Sequence, residues 1–359
     1  MSLLFFITNP FQKYIVCLLF IFITFCITLN TSFTFSSSTT TTISFQTMFK
    51  KVTTTTTTKR MSSSSSTTTT TTTNNNNNPK NIVIIGGGIQ GTSIAYYLSK
   101  SLSSSTTSTT STSSTTSTST NIKILEAKQI ASAASGKGGG FIARNWGDGT
   151  NTQSLHHLGY DLYQNSLKKE LNLTSYRSIP VLSVQPSNKN QGQKMALKDD
   201  KIKKIVPNWL NGNYGNVRIL GYGDDTAQVT PKEVVEKMIE CSNDNIEVIL
   251  GECIGIVTNE DSNNNNNNND DDDDASEKHV TGVKYIPRDG ENELILEADV
   301  VVVSAGPWSC AAEEWFDNTV SLPMEGVKST SIVWKKGDDD VDATALFCGE
   351  DYRFGTHCK

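Results

Sequence analysis

The stretch that decides the fold is NIVIIGGGIQG, Asn81 to Gly91, in which a short apolar run leads directly into a glycine-rich turn. Ile82 to Ile85 is the continuous β-branched run expected of a parallel strand covered on both faces. Gly86, Gly88 and Gly91 fit G-x-G-x-x-G, a spacing that permits a tight turn, close approach of a pyrophosphate and packing of the next helix. The same turn also occurs as a plain structural connector, so its context decides the interpretation.

The context is a second strand that ends in an acid. Asn121 to Leu125 reads as a strand and Glu126 ends it, where dinucleotide-binding folds place the acid that binds a ribose hydroxyl, about 20 residues after the turn. Glu126 lies 35 residues after Gly91, but 18 of these form the Ser/Thr run from Ser103 to Thr120. Without that run the spacing is 17, so we predict a dinucleotide site with a solvated insertion.

Homopolymeric runs occupy much of this 359-residue chain, so the part expected to fold is shorter than the whole sequence. We predict a disordered linker at 36–79 and disordered insertions at 103–120 and 261–277. The net charge of −6 derives mostly from Asp270 to Asp274, which leaves the folded part near neutral. No cluster of basic residues suggests nucleic-acid binding, and the acidic run is typical of a solvated loop.

An apolar segment lies near the N-terminus. Tyr14 to Leu29 contains sixteen residues without a charge, slightly short of the roughly 17 to 25 that span a bilayer, and suits a signal peptide or signal anchor within 1–35. This favours a cytoplasmic or endomembrane location with possible membrane anchoring. Two alternatives stay open: a mitochondrial transit sequence around the basic residues Lys50, Lys51, Lys59 and Arg60, or a start at Met48 or Met61.

Cysteine and histidine give no metal or disulfide signature. The seven cysteines are scattered without a C-x-x-C pair, and the four histidines lack metal-ligand spacing. His156 and His157 are adjacent and would point in different directions on a helix. We therefore predict no metal site. Asn172 and Thr174 form a glycosylation sequon, which matters only in the secretory pathway.

A second glycine-rich segment follows Glu126 closely: ASAASGKGGGFIARNW, Ala131 to Trp146. Its small residues would let the backbone approach a flat or charged group closely. A flexible linker is the alternative, but Phe141, Ile142 and Trp146 beside it are residues that favour burial.

The remaining elements alternate between helix and strand. Thr230, Pro231 and Glu233 provide an N-cap, a first-turn proline and a capping-box acid for one helix. Glu252–Thr258, His279–Ile286 and Glu293–Leu296 read as a meander, followed by the doubly buried Val300–Val303. The other predicted elements are a helix at Leu155–Leu171, a strand at Tyr176–Val184, a helix at Pro231–Cys241 and a strand at Ile246–Leu250.

This order of elements resembles the FAD-dependent oxidoreductases of the D-amino-acid oxidase and sarcosine oxidase type, from Lys80 to the C-terminus. ASGKGGGFIARNW and TAQVTP are most similar to a eukaryotic branch of that superfamily. The resemblance implies an α/β chain, α+β overall, with a Rossmann-like FAD-binding domain carrying a β-meander and an incomplete antiparallel-sheet substrate domain. It divides the chain into FAD-binding parts at 80–172 and 226–317 and substrate-domain parts at 173–225 and 318–359.

The resemblance also implies FAD as cofactor and assigns its contacts. The pyrophosphate would be held by Gly86, Gly88, Ile89, Gln90 and Gly91, and the adenosine ribose by Glu126, with Ala127 as a further cofactor contact. The pyrophosphate and the flavin edge would be met by Ser135, Gly136, Gly138, Gly139 and Gly140. The adenine would be met by the backbone of Cys253 or Ile254. Ala305 and Gly306 would close the site from the returning strand, where a ligand can lie against backbone.

The implied activity is oxidation of an amine or amino-acid-like small molecule by hydride transfer to flavin. Arg144 could pair with a substrate carboxylate and Trp146 could line a pocket, or both could anchor the loop. The family continues beyond the position of Lys359, so a truncated substrate domain is expected and no catalytic residue is named. Two alternatives stay open: a non-catalytic FAD-binding partner protein and an NAD-dependent dehydrogenase.

Overall fold

The structure is a computed structural model that describes residues 4–6, 16–17, 33–34, 42–43, 80–105, 120–187, 198–210, 214–242, 245–259, 279–316, 320–328, 330–333 and 341–348. Most of Tyr14–Leu29, most of the linker at 36–79 and the insertion at 261–277 lie outside these residues, so their predictions stay predictions there. Within the linker, Thr42–Ile43 is described and forms a short strand, so disorder is not what the structure shows at these two residues. Within the described part, no helix is both long and apolar enough to cross a membrane.

The described residues contain sixteen strands, which are numbered in chain order. They are β1 (Leu4–Phe6), β2 (Val16–Cys17), β3 (Phe33–Thr34), β4 (Thr42–Ile43), β5 (Asn81–Ile85), β6 (Asn121–Glu126), β7 (Phe141–Ala143), β8 (Arg177–Ser178), β9 (Val181–Pro186), β10 (Tyr214–Gly221), β11 (Thr226–Gln228), β12 (Ile246–Thr258), β13 (Val280–Pro287), β14 (Leu294–Glu297), β15 (Val300–Val303) and β16 (Ala345–Cys348).

The helices are α1 (Ile89–Ser105), α2 (Ala134–Lys137), α3 (Gln153–Leu162), α4 (Lys168–Glu170), α5 (Asp200–Ile205), α6 (Pro231–Glu240) and α7 (Ala312–Trp315). A π-helical segment, Tyr163–Leu167, joins α3 to α4, so the predicted helix at Leu155–Leu171 is one helical stretch with a π turn inside it. A 3₁₀ helix, Gly306–Ala311, follows β15.

Contacts divide the chain into two compact units. Unit 1 comprises Met1–Ile130 and Ser242–Gly326, and unit 2 comprises Ala131–Cys241 and Val327–Lys359. Both are discontinuous in sequence, as the predicted domains are. The unit boundaries lie elsewhere than the predicted domain boundaries near 172 and 225, which remain predictions.

Unit 1 is built on an eight-stranded sheet with the order β14-β13-β12-β6-β5-β15-β1-β2. At its centre, β5 pairs in parallel with β6 and β15, as the buried apolar runs predict. Ile82, Val83, Ile84 and Ile85 are all buried, because side chains on both faces of the central strand are covered. The predicted α/β fold, with a parallel sheet followed by a meander, is confirmed.

The meander is β12, β13 and β14, paired antiparallel. β12 is one strand from Ile246 to Thr258, so the predicted division into two strands is wrong. Its first part pairs with β6, and its second part pairs with β13. Gly251 does not break the strand. A Cβ there would lie 2.6 Å from the Tyr285 ring, so glycine makes room for that ring within the ladder.

Unit 2 contains two three-stranded sheets, with the orders β10-β9-β16 and β7-β11-β8. The predicted strand Tyr176–Val184 is two strands, because Pro180 lacks a ladder N–H and Arg177–Ser178 pairs with a different sheet from Val181–Pro186. The first sheet is mixed rather than antiparallel, since β16 runs parallel to β9.

Two helices of the described part differ from the sequence-based expectation. α1 continues to Ser105, so the first three residues of the predicted insertion at 103–120 are helical, while residues 106–119 lie outside the described residues. α5 was not predicted. Its signal was Asp199, whose side chain caps the helix by accepting hydrogen bonds from the N–H groups of Lys201 and Ile202.

Candidate functional site

The glycine turn after β5 is shaped by contacts that only glycine permits. Gly86 has a φ of +108°, and a Cβ there would lie 2.5 Å from the carbonyl oxygen of Ser304. A Cβ on Gly91, in the first turn of α1, would lie 2.0 Å from the Gly86 oxygen. The Gly86 N–H donates to Leu125 O at 2.8 Å, which fastens the turn to β6. At two of the three motif glycines, therefore, a side chain would clash with neighbouring backbone.

Ser304, directly after β15, holds the same turn from the other side and was not predicted. It is buried, and its Oγ lies 3.0 Å from Ile85 O and 3.3 Å from Gly86 O. Its backbone N–H also donates to Ile85 O at 2.8 Å. The sequence offers one weak signal, namely a serine immediately after a doubly buried strand.

Helix α1 begins at Ile89, with Gln90 and Gly91 in its first turn. Thr92 bonds back to Gly88 O through both its N–H, at 3.0 Å, and its hydroxyl, at 2.9 Å. No acidic residue lies in the first turn of Ile89–Ser105. The start of this helix can therefore receive an anion without repulsion from its own side chains.

Glu126 ends β6 and turns its carboxylate toward the glycine turn. Its Oε2 accepts from Gly87 N at 2.8 Å, and its Oε1 accepts from the N–H groups of Lys128 at 2.9 Å and Gln129 at 3.3 Å. Ala127 lies exposed between them. An ionised carboxylate offers about four acceptor positions, so a ribose hydroxyl can still donate to it. The structure thus places Glu126 beside the turn, as the spacing predicts.

Cys253 and Ile254, the residues predicted to contact the adenine, lie on β12. The ladder with β13 shifts its register between Cys253 and Gly255, so Ile254 is the residue of a bulge. Its backbone is outside that pairing, a situation frequent beside binding sites. The Cys253 thiol packs against the core, where burial raises its pKa to about 12 although a backbone hydrogen bond with Gly255 opposes this. Cys253 is thus a structural residue, and a ligand contact there would come from backbone.

Ala305 and Gly306 follow β15 at the same end of the sheet as the glycine turn, since β15 and β5 are parallel and in register. Gly306 has a φ of +59°, and the position of its absent Cβ is open, with no atom within 4 Å. This open space beside backbone is what the resemblance implies for a strand that closes a ligand site.

The second glycine-rich segment belongs to unit 2. Ser135 and Gly136 lie in α2, which the sequence did not predict, and Gly138 to Gly140 run from this helix into β7. A Cβ on Gly136 would lie 1.9 Å from Ala131 O, and one on Gly140, whose φ is +70°, would lie 1.8 Å from Val229 O. The segment is thus a shaped turn and not a linker. Within unit 1, the structure brings the glycine turn, Glu126 and Ala305 close together.

Arg144 and Trp146 both anchor their loop within unit 2. Arg144 forms a two-point contact with Asp161, Nε to Oδ1 at 3.0 Å and Nη2 to Oδ2 at 3.4 Å, and this hydrogen bonding raises its pKa. Its guanidinium is therefore already engaged, and pairing with a substrate carboxylate is disfavoured. Trp146 donates its indole N–H to Leu220 O at 2.9 Å and keeps 40% of its surface exposed.

A family model described as FAD dependent oxidoreductase, DAO, matches residues 81–356. The chain belongs to this FAD-dependent oxidoreductase family. The prediction of FAD as cofactor is confirmed with it. Among the described residues, no group of three His, Cys, Asp or Glu side chains could hold a metal ion.

The residues of unit 1 fit the dinucleotide of this FAD-dependent family. The turn is compact because Gly86 and Gly91 lack side chains, and the first turn of α1 lacks acids. Glu126 lies beside the turn with acceptor capacity left, and Gly306 faces open space. A pyrophosphate needs donors and no negative charge, and a ribose needs an acceptor, so the residues present suit both parts.

Several proteins of known name are similar to this family member. A Schizosaccharomyces pombe protein named provisionally as an oxidoreductase is 28% identical over 237 residues, covering 62% of this chain and 53% of the relative. Glycine oxidase from Bacillus cereus is 17% identical, covering 66% of this chain and 58% of that one, with a TM-score of 0.42. L-proline dehydrogenase from P. horikoshii is 16% identical, covering 68% and 57%, with a TM-score of 0.43. The chain spans about half the length of the curated relative.

Proposed function

We propose that this protein is an FAD-dependent oxidoreductase that oxidises an amine or amino-acid-like small molecule. The observation that carries the proposal is the contact of the Glu126 carboxylate with Gly87 N–H beside the glycine turn, in a chain of the FAD-dependent family. The substrate class follows from the resemblance to oxidases of the D-amino-acid and sarcosine type.

Each group of residues has a binding role in this proposal. The N-terminus of α1 would face the pyrophosphate, Glu126 would accept from the adenosine ribose, and the backbone near Ile254 would meet the adenine. The turn from Ser135 to Gly140 would lie against the pyrophosphate and the flavin edge. Bound FAD would supply the hydride-transfer chemistry at the substrate carbon, with oxygen or another acceptor taking up the electrons. The residues of the chain would position the cofactor and the substrate for this transfer.

The test has two stages. Full-length protein is purified, denatured, and its released nucleotide identified by chromatography, where we expect FAD. The holoprotein is then mixed without oxygen with a panel of primary amines, secondary amines and amino acids, and bleaching of the flavin absorbance is followed. Bleaching by one class, with peroxide release in air, would support the proposal. If the protein contains FAD and no compound of the panel bleaches it, the non-catalytic partner is favoured. Binding of NAD without FAD would overturn the proposed function.

A further inference from the structure

The helical stretch of unit 2 that contains α3 and α4 ends in a turn that exposes an asparagine. Asn172 lies just after α4 with a φ of +48°. Its N–H donates to Lys169 O at 3.2 Å, and the N–H of Leu173 donates to Lys168 O at 2.9 Å. This is the Schellman arrangement, in which a residue with left-handed backbone ends a helix. Leu171 beside it is fully buried, so the turn is fixed from within while Asn172 remains on the surface.

The side-chain amide of Asn172 is not used by this turn. The two capping bonds come from backbone, and among the described residues the Asn172 side chain has no hydrogen-bond partner. With Leu173 and Thr174 it forms the sequence N-L-T, an acceptor for an N-linked glycan. The whole sequence contains one other such acceptor, Asn30-Thr31-Ser32. A bulky glycan on Asn172 would therefore extend from the surface without displacing a contact of the fold.

The hydroxyl of Thr174 is free only before the chain folds. In the folded protein it donates to Glu233 Oε1 at 2.6 Å. Glu233 is synthesised 59 residues later, which takes about 3 to 12 s at roughly 5 to 20 residues per second. During this interval the N-L-T sequence has no Glu233 to bind, so a nascent chain that enters the lumen of the endoplasmic reticulum presents it unoccupied.

The charges around the apolar segment Tyr14–Leu29 favour this entry. Lys13 directly precedes the segment, whereas residues 30–49 carry no charged side chain. Positive charge within about 15 to 20 residues of an apolar segment stays on the cytoplasmic side, so the chain that follows is directed into the lumen. This orientation is set during synthesis, before the sheet with β1 and β2 can form, because β1 pairs with the late strand β15.

We propose that the chain beyond the apolar segment enters the secretory pathway and carries an N-linked glycan on Asn172. In the transfer, Asn172 Nδ2 forms a bond to the anomeric carbon of an oligosaccharide carried on a lipid diphosphate. The bond from that carbon to the diphosphate oxygen breaks, the lipid diphosphate leaves, and one amide proton passes to the transferase. The inference concerns location and modification, and it does not rest on the proposed activity.

The test expresses the full-length chain in a eukaryotic cell and treats it with peptide N-glycosidase. Wild type should lose the mass of one glycan. Asn172→Gly should show no shift and should still fold, because glycine adopts the left-handed backbone of this turn readily. Thr174→Val should also lose the glycan, whereas Thr174→Ser, which keeps a hydroxyl for Glu233, should retain part of it. Circular-dichroism melts of Asn172→Gly and of deglycosylated wild type should agree.

Asn30→Gln is the matched control. Asn30 directly follows the apolar segment and would stay beside the membrane, so this variant should be glycosylated as wild type is. Glu233→Gln should leave the occupied fraction unchanged, since transfer precedes folding. Wild type without a glycan would overturn the inference, and mitochondrial import or a start at Met48 would produce that result. A shift that survives Asn172→Gly or disappears in Asn30→Gln would overturn the assignment to Asn172, and a higher occupancy in Glu233→Gln would overturn the order of events.

Discussion

Glu233 Oε1 accepts hydrogen bonds from both the backbone N–H and the hydroxyl of Thr174, at 2.7 and 2.6 Å. Its Oε2 accepts in the same way from the N–H and hydroxyl of Ser175. The capping-box role predicted for Glu233 is therefore wrong, and Thr230 makes no side-chain cap. Desolvation raises the pKa of Glu233, but the bonds from Ser175 and Thr174 outweigh it and lower the pKa to about 2.

This depressed pKa predicts a loss of stability in acid. A carboxyl with a lower pKa in the folded state stabilises the fold above its ordinary pKa of 4.5, and that contribution is lost as the pH falls toward 2. Glu233→Gln should lower the melting temperature at neutral pH. The melting temperature of this variant should also fall less steeply than that of wild type between pH 4.5 and pH 2. Circular-dichroism melts at several pH values provide the measurement. Glu236→Gln, on the same helix, is the control, and an equal effect of both changes would contradict the role of Glu233.

Gly91→Ala should destabilise the protein and reduce its FAD content, because the new Cβ would lie 2.0 Å from Gly86 O. Overpacking of this kind costs about 1 to 3 kcal/mol. Gly159→Ala is the matched control, since Gly159 also lies in a helix and its Cβ position has no atom within 4 Å. There alanine should stabilise by roughly 0.5 to 1 kcal/mol. Urea unfolding should show a lower free energy of unfolding for Gly91→Ala and a higher one for Gly159→Ala, and only Gly91→Ala should lose flavin. Similar changes in both variants would count against the packing argument.

Ser304→Ala should cost about 1 kcal/mol and loosen the glycine turn, because the lost hydroxyl bonds to the carbonyls of Ile85 and Gly86. Ser309 provides the comparison. It is equally buried, yet its hydroxyl has no hydrogen-bond partner in the described part of the chain. Ser309→Ala should therefore be neutral or stabilising. Unfolding free energies and the FAD dissociation constant should separate the two variants, and a harmless Ser304→Ala would refute its role at the turn.

Glu126→Ala should weaken FAD binding by roughly 1.5 to 3 kcal/mol, the contribution expected of a hydrogen bond to a charged group. Part of this loss would come from the turn itself, because Gly87 N–H loses its acceptor. Glu247→Ala, on the adjacent strand β12, removes an exposed carboxylate paired with Lys123 and should leave FAD binding unchanged. Fluorescence titration of the apoprotein with FAD measures both, and retention of full affinity by Glu126→Ala would reject the ribose assignment.

The parallel core of unit 1 could be predicted from the sequence because its signals are local. Ile82–Ile85 and Val300–Val303 are short apolar runs, and burial on both faces leaves few other structures for them. Asn121–Leu125 is marked instead by its three apolar residues and by the acid that follows it. The steric role of Gly91 is likewise local, because its Cβ would meet Gly86 O in the same turn, whereas that of Gly86 depends on the distant Ser304.

The residues that sequence reasoning missed or misassigned depend on partners far along the chain. Glu233 and Thr174 are 59 residues apart, and Ser304 meets Ile85 across 219. Nothing in the local sequence around Arg144 indicates that its guanidinium forms an ion pair with Asp161. Local patterns identify the elements and the glycine turn, whereas the assignment of polar side chains requires the register that only the assembled sheets provide.

The pairing of β5 with β15 has a consequence for synthesis. Asn81–Ile85 leaves the ribosome more than two hundred residues before Val300–Val303, its parallel neighbour. β9 is likewise synthesised well before β16, its parallel neighbour. During translation each early strand exposes an apolar, unpaired edge for tens of seconds at about 5 to 20 residues per second, the condition under which nascent chains associate wrongly or recruit chaperones. Yield in a cell should therefore depend on chaperone supply more than the stability of the finished fold would suggest.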